Sequence, residues 1–366
     1  MNKDKFLQAI NASYENQQYL LRKEQVEFGL KEILVHFVWL CILIFLSPHK
    51  SDRYRKIYMV YSERHIKALN CYDVKEVFSL GKCLSDMQSI RTQTSCFSPF
   101  GRLERVKILF KASVFFLKNR KKIETPYTYL LEYYSIDVFL DYEHPEVVYC
   151  AGHFDRYMTV LSYLLDYKEI KLIGSQHGIL ANVDIPNKII FYRFDAYDEH
   201  EAKRAKKFIK NDDCIIRIKG FTSDLEWIHN KKQKVIVAVA SQDRHVAVTK
   251  QLLKLMMQSL DLNKVEVIVY PHYREKSDEY RDLKQDYVDL KFLNKQRYSN
   301  IDILVTFYST IVYDYFAINP SIKVVCFALP GFEVEYYERD NVHVYKNMQD
   351  FIEGLAEICD ECSLMY

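Results

Sequence analysis

Short apolar runs recur along most of this chain and alternate with longer segments of mixed polarity. The runs predict strands at Ile57–Tyr61, Val77–Leu80, Val147–Ala151, Ile170–Gly174, Cys214–Ile218, Val235–Ala240, Val265–Tyr270, Ile301–Val305 and Lys323–Phe327. The segments between them predict helices at Tyr127–Tyr134, Arg156–Tyr167, Glu199–Ile209, Val246–Leu260, Lys276–Tyr287, Thr310–Ile318 and Met348–Cys359. Strands that alternate with helices in this way are typical of βαβ units and parallel sheets.

The length of 366 residues is more than one ordinary core requires, so two domains are expected. Residues 1–48 predict an N-terminal helical segment, because apolar residues recur at helical spacing and end at Ser47–Pro48. The alternating pattern then predicts one domain over 49–222 and another over 234–366, joined by the charged stretch Thr222–Lys234. The predicted fold class is α/β, with two Rossmann-like domains that face a central cleft at the carboxyl ends of their sheets.

Composition narrows the range of functions. The formal net charge is +2, so the charge of the whole molecule does not favour a nucleic-acid partner. The nine cysteines form no framework, and the N-terminus lacks the layout of a secretory signal. Reduced thiols and a cytoplasmic location are therefore expected. Cys359 and Cys362 form a lone CxxC without a second pair or nearby histidines, so no metal site is predicted.

Two segments bear on contact with a membrane. The apolar run Ile33–Leu46 is shorter than the about 20 residues that a spanning helix needs, so it predicts a buried helix or a helix lying against a membrane. Arg102–Lys122 combines many basic residues with apolar ones and has a single acid, Glu104. This mixture fits an amphipathic helix at an anionic membrane surface, such as the inner face of the cytoplasmic membrane. A solvated helix face is the alternative.

The stretch Ile303–Tyr315 predicts a buried strand, a hydroxyl-bearing turn and a helix. If Ser309 caps the helix, its hydroxyl and the following amides, beginning with Thr310, would hold a phosphate or diphosphate group. Ordinary N-capping is the alternative. Asp314 would receive a donor hydroxyl or favour the helix dipole. The turn has no glycine-rich loop, which excludes a P-loop.

A histidine follows the strand Val265–Tyr270, which Pro271 terminates by removing a backbone donor. His272 can donate to a phosphate or to a nucleotide carbonyl, and Arg274 can bind a phosphate through two hydrogen bonds. A structural histidine is the alternative. With Glu275 beside them at the predicted sheet edge, these residues favour binding of a nucleotide donor.

A second histidine lies in the loop 176–178, which follows the strand Ile170–Gly174. The two glycines around it, Gly174 and Gly178, are expected to let the backbone bend and approach a ligand. Histidine titrates near neutral pH, so His177 is a candidate for the base that takes a proton from an acceptor hydroxyl.

The segment 153–156 competes for the same role, because it too follows a predicted strand. Asp155 is either an alternative base or the N-cap of the next helix. Hydrolase triads are not supported, because the sequence contains no GxSxG elbow.

Taken in order, these motifs resemble those of bacterial surface-polysaccharide glycosyltransferases of the GT-B type, over about residues 145–330. In that group a QHG loop, a KPHPRE-like loop and a TxYSS…xD turn recur in this order. They correspond here to Gln176–Gly178, Tyr270–Glu275 and Thr306–Asp314, and Val235–Gln242 is similar to the strand that opens the nucleotide-binding domain. Relatives include capsule sialyltransferases, Kdo transferases and the glycerophosphotransferases of teichoic-acid synthesis.

The resemblance implies an inverting transfer from a nucleotide sugar, without a metal or another cofactor, to a glycan or glycolipid acceptor. His177 would be the base, with Asp155 as its alternative. Predicted acceptor contacts are Gln176, Gly178, His153 and Arg156. Predicted donor contacts are His272, Arg274, Glu275, Ser309, Thr310, Asp314 and Gln242.

The sequence departs from the family pattern at three positions. Tyr270 and Tyr273 replace the usual Lys and second Pro, and Phe307 stands where glycerophosphotransferases carry Asp, which counts against a CDP-glycerol donor. The leading hypothesis is transfer of a sugar to a surface polysaccharide or glycolipid, with a CMP-linked acidic sugar such as sialic acid as the first donor to test. The alternatives are a CDP-polyol phosphotransferase of the teichoic-acid type and a non-catalytic nucleotide-binding scaffold.

Overall fold

The computed structural model describes residues 2–20, 55–60, 77–79, 93–96, 99–123, 127–152, 156–178, 180, 184–221, 223, 226–242, 245–272, 275, 279–293, 296–307, 309, 311–329 and 339–364. The chain divides into two compact units, Met1–Lys219 and Gly220–Tyr366. Each unit has its own parallel sheet and its own apolar core.

The sheet of the first unit has seven strands, all parallel to their neighbours. They are β1 (Lys56–Val60), β2 (Val77–Ser79), β3 (Gln93–Ser95), β4 (Val147–Cys150), β5 (Lys171–Ser175), β6 (Arg193–Ala196) and β7 (Ile215–Ile218). Their spatial order is β3-β2-β1-β4-β5-β6-β7. The order reverses between β1 and β4, which is the topological switch point of a doubly wound sheet.

Five described helices accompany this sheet: α1 (Lys3–Leu20), α2 (Arg102–Asn119), α3 (Tyr127–Glu143), α4 (Arg156–Tyr167) and α5 (Glu199–Phe208). Helix α1 packs against α4, and α2 packs against α3. Phe6 of α1 meets the rings of Phe115 and Tyr134 edge to face, with centroid separations of 5.4 and 5.8 Å. The N-terminal helix is thereby tied into the core of the first unit.

The sheet of the second unit has six strands, again all parallel to their neighbours. They are β9 (Val235–Ala240), β10 (Val265–Tyr270), β11 (Lys291–Phe292), β13 (Ile303–Thr306), β14 (Lys323–Phe327) and β15 (Val342–Tyr345), and two short strands, β8 (Trp227–Ile228) and β12 (Arg297–Tyr298), pair separately. The spatial order is β11-β10-β9-β13-β14-β15, so the switch point lies between β9 and β13. The helices described in this unit are α6 (Val246–Ser259), α7 (Arg281–Asp286), α8 (Ile311–Ile318) and α9 (Met348–Ser363).

The predicted fold class, α/β with two Rossmann-like parts, is confirmed by these two strand orders. The sequence also predicted the bounds of β9, β10, β14 and α4. It did not predict β3, β6, β11, β15 or the short strands β8 and β12. It extended α7 too far, since residues 279–280 form a turn. The run Ile33–Leu46 lies outside the described residues. Among those that are described, no helix combines the length and apolarity needed to cross a membrane.

Candidate functional site

Strand register brings the predicted donor loops to one edge of the second sheet. Ala240, the last residue of β9, pairs with Tyr270 at the end of β10 on one side and with Thr306 at the end of β13 on the other. The three strands are parallel and end at the same level, so the residues that follow them share one edge. This edge lies at the switch point, where doubly wound sheets bind ligands.

Ser241 connects two of these loops. Its Oγ lies 2.8 Å from the Oε2 atom of Glu275, to which it donates, and it accepts the backbone N–H of His272 at 3.1 Å. The backbone N–H of Glu275 in turn donates to the carbonyl of His272 at 2.8 Å. The structure thus brings together the predicted residues His272 and Glu275 through Ser241, for which the sequence predicted no such contact. Gln242, the next residue, is buried.

Glu275 carries a half-buried carboxylate close to two hydroxyl groups. Burial raises the pKa of its carboxyl group, and the hydroxyls of Ser241 and Tyr280 partly oppose this change. Its Oε1 atom is buried, and no donor in the described part of the chain meets hydrogen-bond geometry with it, although the Tyr280 hydroxyl lies near enough to the carboxyl group to affect its pKa. A buried acceptor without a donor is costly, so a hydroxyl donor from a ligand would be favourable at this atom.

The turn after β13 has the predicted capping geometry. Thr306 Oγ1 accepts the backbone N–H of Ser309 at 3.1 Å, and Ser309 Oγ accepts the backbone N–H of Ile311 at 3.4 Å. Ser309 therefore caps α8. Asp314 lies in the first turn of this helix, near enough to the Arg297 guanidinium to oppose the lowering of its pKa by burial.

In the first unit, Gln176 fixes the loop that carries His177. Its side chain is fully buried, and its Nε2 donates to the carbonyl of Gly178 and to Glu201 Oε2, both at 2.8 Å. Its Oε1 accepts the backbone N–H of Tyr197 at 2.8 Å. The sequence predicted Gln176 as an acceptor contact, whereas its buried geometry supports a role in holding the loop.

Glu201 and Lys219 complete this support, and the sequence predicted neither as part of the site. Glu201, on α5, also accepts the backbone N–H of Leu180 at 3.2 Å and lies 3.6 Å from Arg204. Lys219 Nζ donates to Ser175 Oγ at 2.8 Å and to the carbonyl of Gln176. The backbone on both sides of His177 is therefore held by polar contacts, which are buried at Gln176 and partly buried at Lys219.

The prediction that Gly174 serves close approach to a ligand is wrong. Gly174 lies within β5, and a Cβ there would come within 2.4 Å of the Phe191 ring and 2.7 Å of the Phe194 ring. Glycine is required because these two aromatic rings pack directly on the strand.

Several predicted site residues lie outside the described residues. These are His153, Asp155, Arg274 and Thr310, together with the side chain of Arg156, whose backbone begins α4. Their roles stay predictions.

The cysteines of the CxxC pair belong to the core of the second unit. Cys359 and Cys362 lie on α9, and burial raises the pKa of both thiols, that of Cys359 to about 12. Buried thiols of this kind pack as small apolar groups. Within the described residues, no group of three or more histidine, cysteine or acidic side chains is arranged to hold a metal ion.

Comparisons with known proteins find similar solved structures but no matching family. No family model matches the sequence, and no curated protein matches it. Among solved structures, the chain is similar to the S. aureus MnaA–UDP complex (12% identity over 84% of this chain and 89% of that chain, TM-score 0.48). It is also similar to a putative UDP-N-acetylglucosamine 2-epimerase from Listeria monocytogenes (8% identity over 85% of this chain and 89% of that chain, TM-score 0.49). A third similar structure is MurG from Acinetobacter baumannii (9% identity over 85% of this chain and 92% of that chain, TM-score 0.49). These scores lie below 0.5, so the fold assignment rests on the strand orders of the two sheets.

Proposed function

We propose that this chain is a glycosyltransferase that moves a sugar from a nucleotide donor to a hydroxyl of a surface polysaccharide or glycolipid. The second unit binds the donor, and His177 of the first unit takes the proton from the attacking hydroxyl. The observation that carries the proposal is the shared edge at the β9/β13 switch point, where Ser241, His272, Glu275 and Ser309 follow three adjacent parallel strands.

The donor contacts follow from the chemistry of these side chains. His272 and Arg274 supply N–H donors for the phosphate, and the helix start at Ser309 and Thr310 adds backbone amides. The Glu275 carboxylate accepts hydroxyls of the donor through its Oε1 atom, for which the described residues provide no hydrogen-bond donor in proper geometry. The N–H donors of His272, Arg274 and the helix start offset the negative charge that develops on the leaving phosphate, so the proposed transfer needs no metal. It is inverting because the acceptor hydroxyl, deprotonated by His177, attacks in a single displacement.

A CMP-linked acidic sugar such as sialic acid is the proposed donor. A CDP-polyol donor is the second candidate, and the environment of Phe307 counts against it. This side chain is only 2% exposed and packs against the rings of Phe327 and His245, with centroid separations of 6.4 and 6.0 Å. The position therefore belongs to the core and offers no polar group to a glycerol phosphate. The proposal includes a location at the inner face of the cytoplasmic membrane, where a lipid-linked acceptor would be met.

A nucleotide panel tests this function. Melting temperature is measured with CMP, CDP, UMP, UDP and GDP, since a ligand that binds the native state raises it by mass action. We expect CMP to give the largest rise, and CMP-sialic acid to support transfer when CDP-glycerol and UDP-sugars do not. A rise with UDP alone would point to a UDP-linked donor instead of a CMP-linked one. A rise with a nucleotide but no transfer from any donor would favour the nucleotide-binding scaffold, and no rise with any nucleotide would contradict donor binding by this chain.

The Glu275→Gln variant tests the role of the carboxylate in donor binding. Because burial raises the pKa of Glu275, wild-type affinity for CMP should fall as the pH drops through that raised value and the carboxylate is protonated. Glu275→Gln should bind about tenfold more weakly above that pH, as expected for one lost charge-assisted hydrogen bond, and should lose this pH dependence. Titration calorimetry across pH measures both effects.

Glu266→Gln is the matched control, because Glu266 lies on β10 and pairs at 2.7 Å with Lys291. It should bind CMP as the wild type does. If the Glu275→Gln variant bound CMP with wild-type affinity at every pH, the assignment of Glu275 to the donor site would be wrong.

A further inference from the structure

Helix α2 is apolar on two opposite faces. Ile108, Ala112 and Phe115 are buried on the face that belongs to the core of the first unit. Four other apolar side chains point to solvent, with exposed fractions of 78% for Leu103, 47% for Val106, 69% for Phe110 and 65% for Leu117. A helix on the surface of a soluble domain normally carries polar residues on this side.

The exposed side chains form one continuous strip. Their sequence spacing of 103, 106, 110 and 117 places them within an arc of about 60° at 100° per residue, opposite the buried face. We call these four residues the outward stripe of α2. Its length and continuity distinguish it from the single exposed apolar residues that any protein surface contains.

Basic residues accompany the outward stripe. Lys107, Lys111 and Lys118 lie along one side of it, are exposed, and form no ion pair within the part of the chain that the structure describes. The helix has one acid, Glu104, whose carboxylate accepts the backbone N–H of Gly101 at 2.9 Å at the helix start. The positive charge beside the stripe is therefore not neutralised by the helix itself.

We infer that the outward stripe of α2 docks on an anionic lipid surface. The apolar side chains would enter the boundary between headgroups and acyl chains, and the long lysine side chains would reach the phosphates beside them. A second copy of this chain fits less well, because a symmetric contact between two stripes would bring two rows of lysines together. Nucleic acid would use the lysines but not the exposed Leu and Phe side chains.

Vesicle binding by the full chain tests this inference, independently of the proposed transferase activity. Co-sedimentation is measured with phosphatidylcholine vesicles and with vesicles that also contain phosphatidylglycerol. We expect binding to the anionic vesicles that weakens as salt is added, because salt screens the lysines. Equal binding to both vesicles, or none to either, would overturn the inference.

Paired variants locate the surface. Lys107→Gln/Lys111→Gln/Lys118→Gln should weaken binding about a hundredfold, whereas Lys203→Gln/Lys206→Gln/Lys207→Gln on α5 removes the same charge and should have little effect. Phe110→Asp should weaken it about tenfold or more, and Val288→Asp, at a position 89% exposed in the second unit, should not. Wild-type binding by the α2 variants would overturn the inference. So would a change of oligomeric state in Phe110→Asp, which would identify a second copy as the occupant.

Discussion

The His177→Ala variant is expected to lose sugar transfer by about 10²- to 10⁴-fold, the range that a positioned general base contributes. The described contacts that hold its loop come from Gln176, Glu201 and Lys219, so removal of the imidazole should leave the loop in place. The proposed donor residues belong to the second unit, and the rise in melting temperature with CMP should therefore persist. Initial rates with CMP-sialic acid and melting curves with CMP measure the two effects.

His229→Ala serves as the control for removal of a histidine. His229 contacts Ser299 at 3.2 Å and is none of the proposed donor or acceptor contacts, so its loss should leave the transfer rate within a factor of two of wild type. If His177→Ala keeps wild-type turnover, the base assignment is wrong. Loss of activity in Asp155→Asn instead would give the role to Asp155.

Parallel strands were the part of the fold that could be predicted best, because burial on both faces makes them continuous apolar runs. Val235–Ala240 is buried at every position and was predicted to the residue. Strand β6 was not predicted because two charged residues, Arg193 and Asp195, interrupt its apolar run. Asp195 is fully buried there and contacts Arg193 at 3.0 Å and Arg217 at 3.2 Å, and only the folded sheet supplies the second of these partners.

The candidate site could be predicted where a side chain able to bind or react directly follows an apolar strand. His272 and Ser309 follow apolar strands directly, and the parallel register then brings their loops to one edge. Ser241 follows β9 in the same way, so its position in the sequence already indicated that it lies at the shared edge. Its partners were not predictable, because its contacts with His272 and Glu275 span more than thirty residues of chain.

Glu201 shows why a local pattern can mislead. Asp198 and Glu201 have the spacing of a capping box, in which the glutamate would return to the helix start. Asp198 does accept the backbone N–H of Glu201 at 2.8 Å, but the Glu201 carboxylate turns to Gln176 and Leu180 instead. The loop that carries His177 thus obtains its support from a residue whose sequence context indicates a different use.

The Glu201→Leu variant is expected to reduce the free energy of unfolding by about 3–5 kcal/mol, the loss typical of removing one partner from a buried ionic contact. The substitution removes the carboxylate that accepts from the Gln176 amide and the Leu180 N–H and that lies opposite the Arg204 guanidinium. Urea unfolding followed by circular dichroism measures the change. Glu199→Leu, two residues away on the exposed side of α5, should stay within about 0.5 kcal/mol of wild type.

Glu201→Gln separates positioning from stability. The amide oxygen can still accept the Leu180 N–H, but the charge opposite Arg204 is lost, so the loss of stability should be smaller than in Glu201→Leu. At a temperature where this variant is fully folded, we expect kcat to fall about tenfold while the CMP-induced rise in melting temperature is unchanged, because a 1 Å displacement of the base lowers the rate without touching the donor site. A folded Glu201→Gln variant with wild-type kcat would limit Glu201 to a purely structural role and would show that the His177 loop keeps its geometry without the full network.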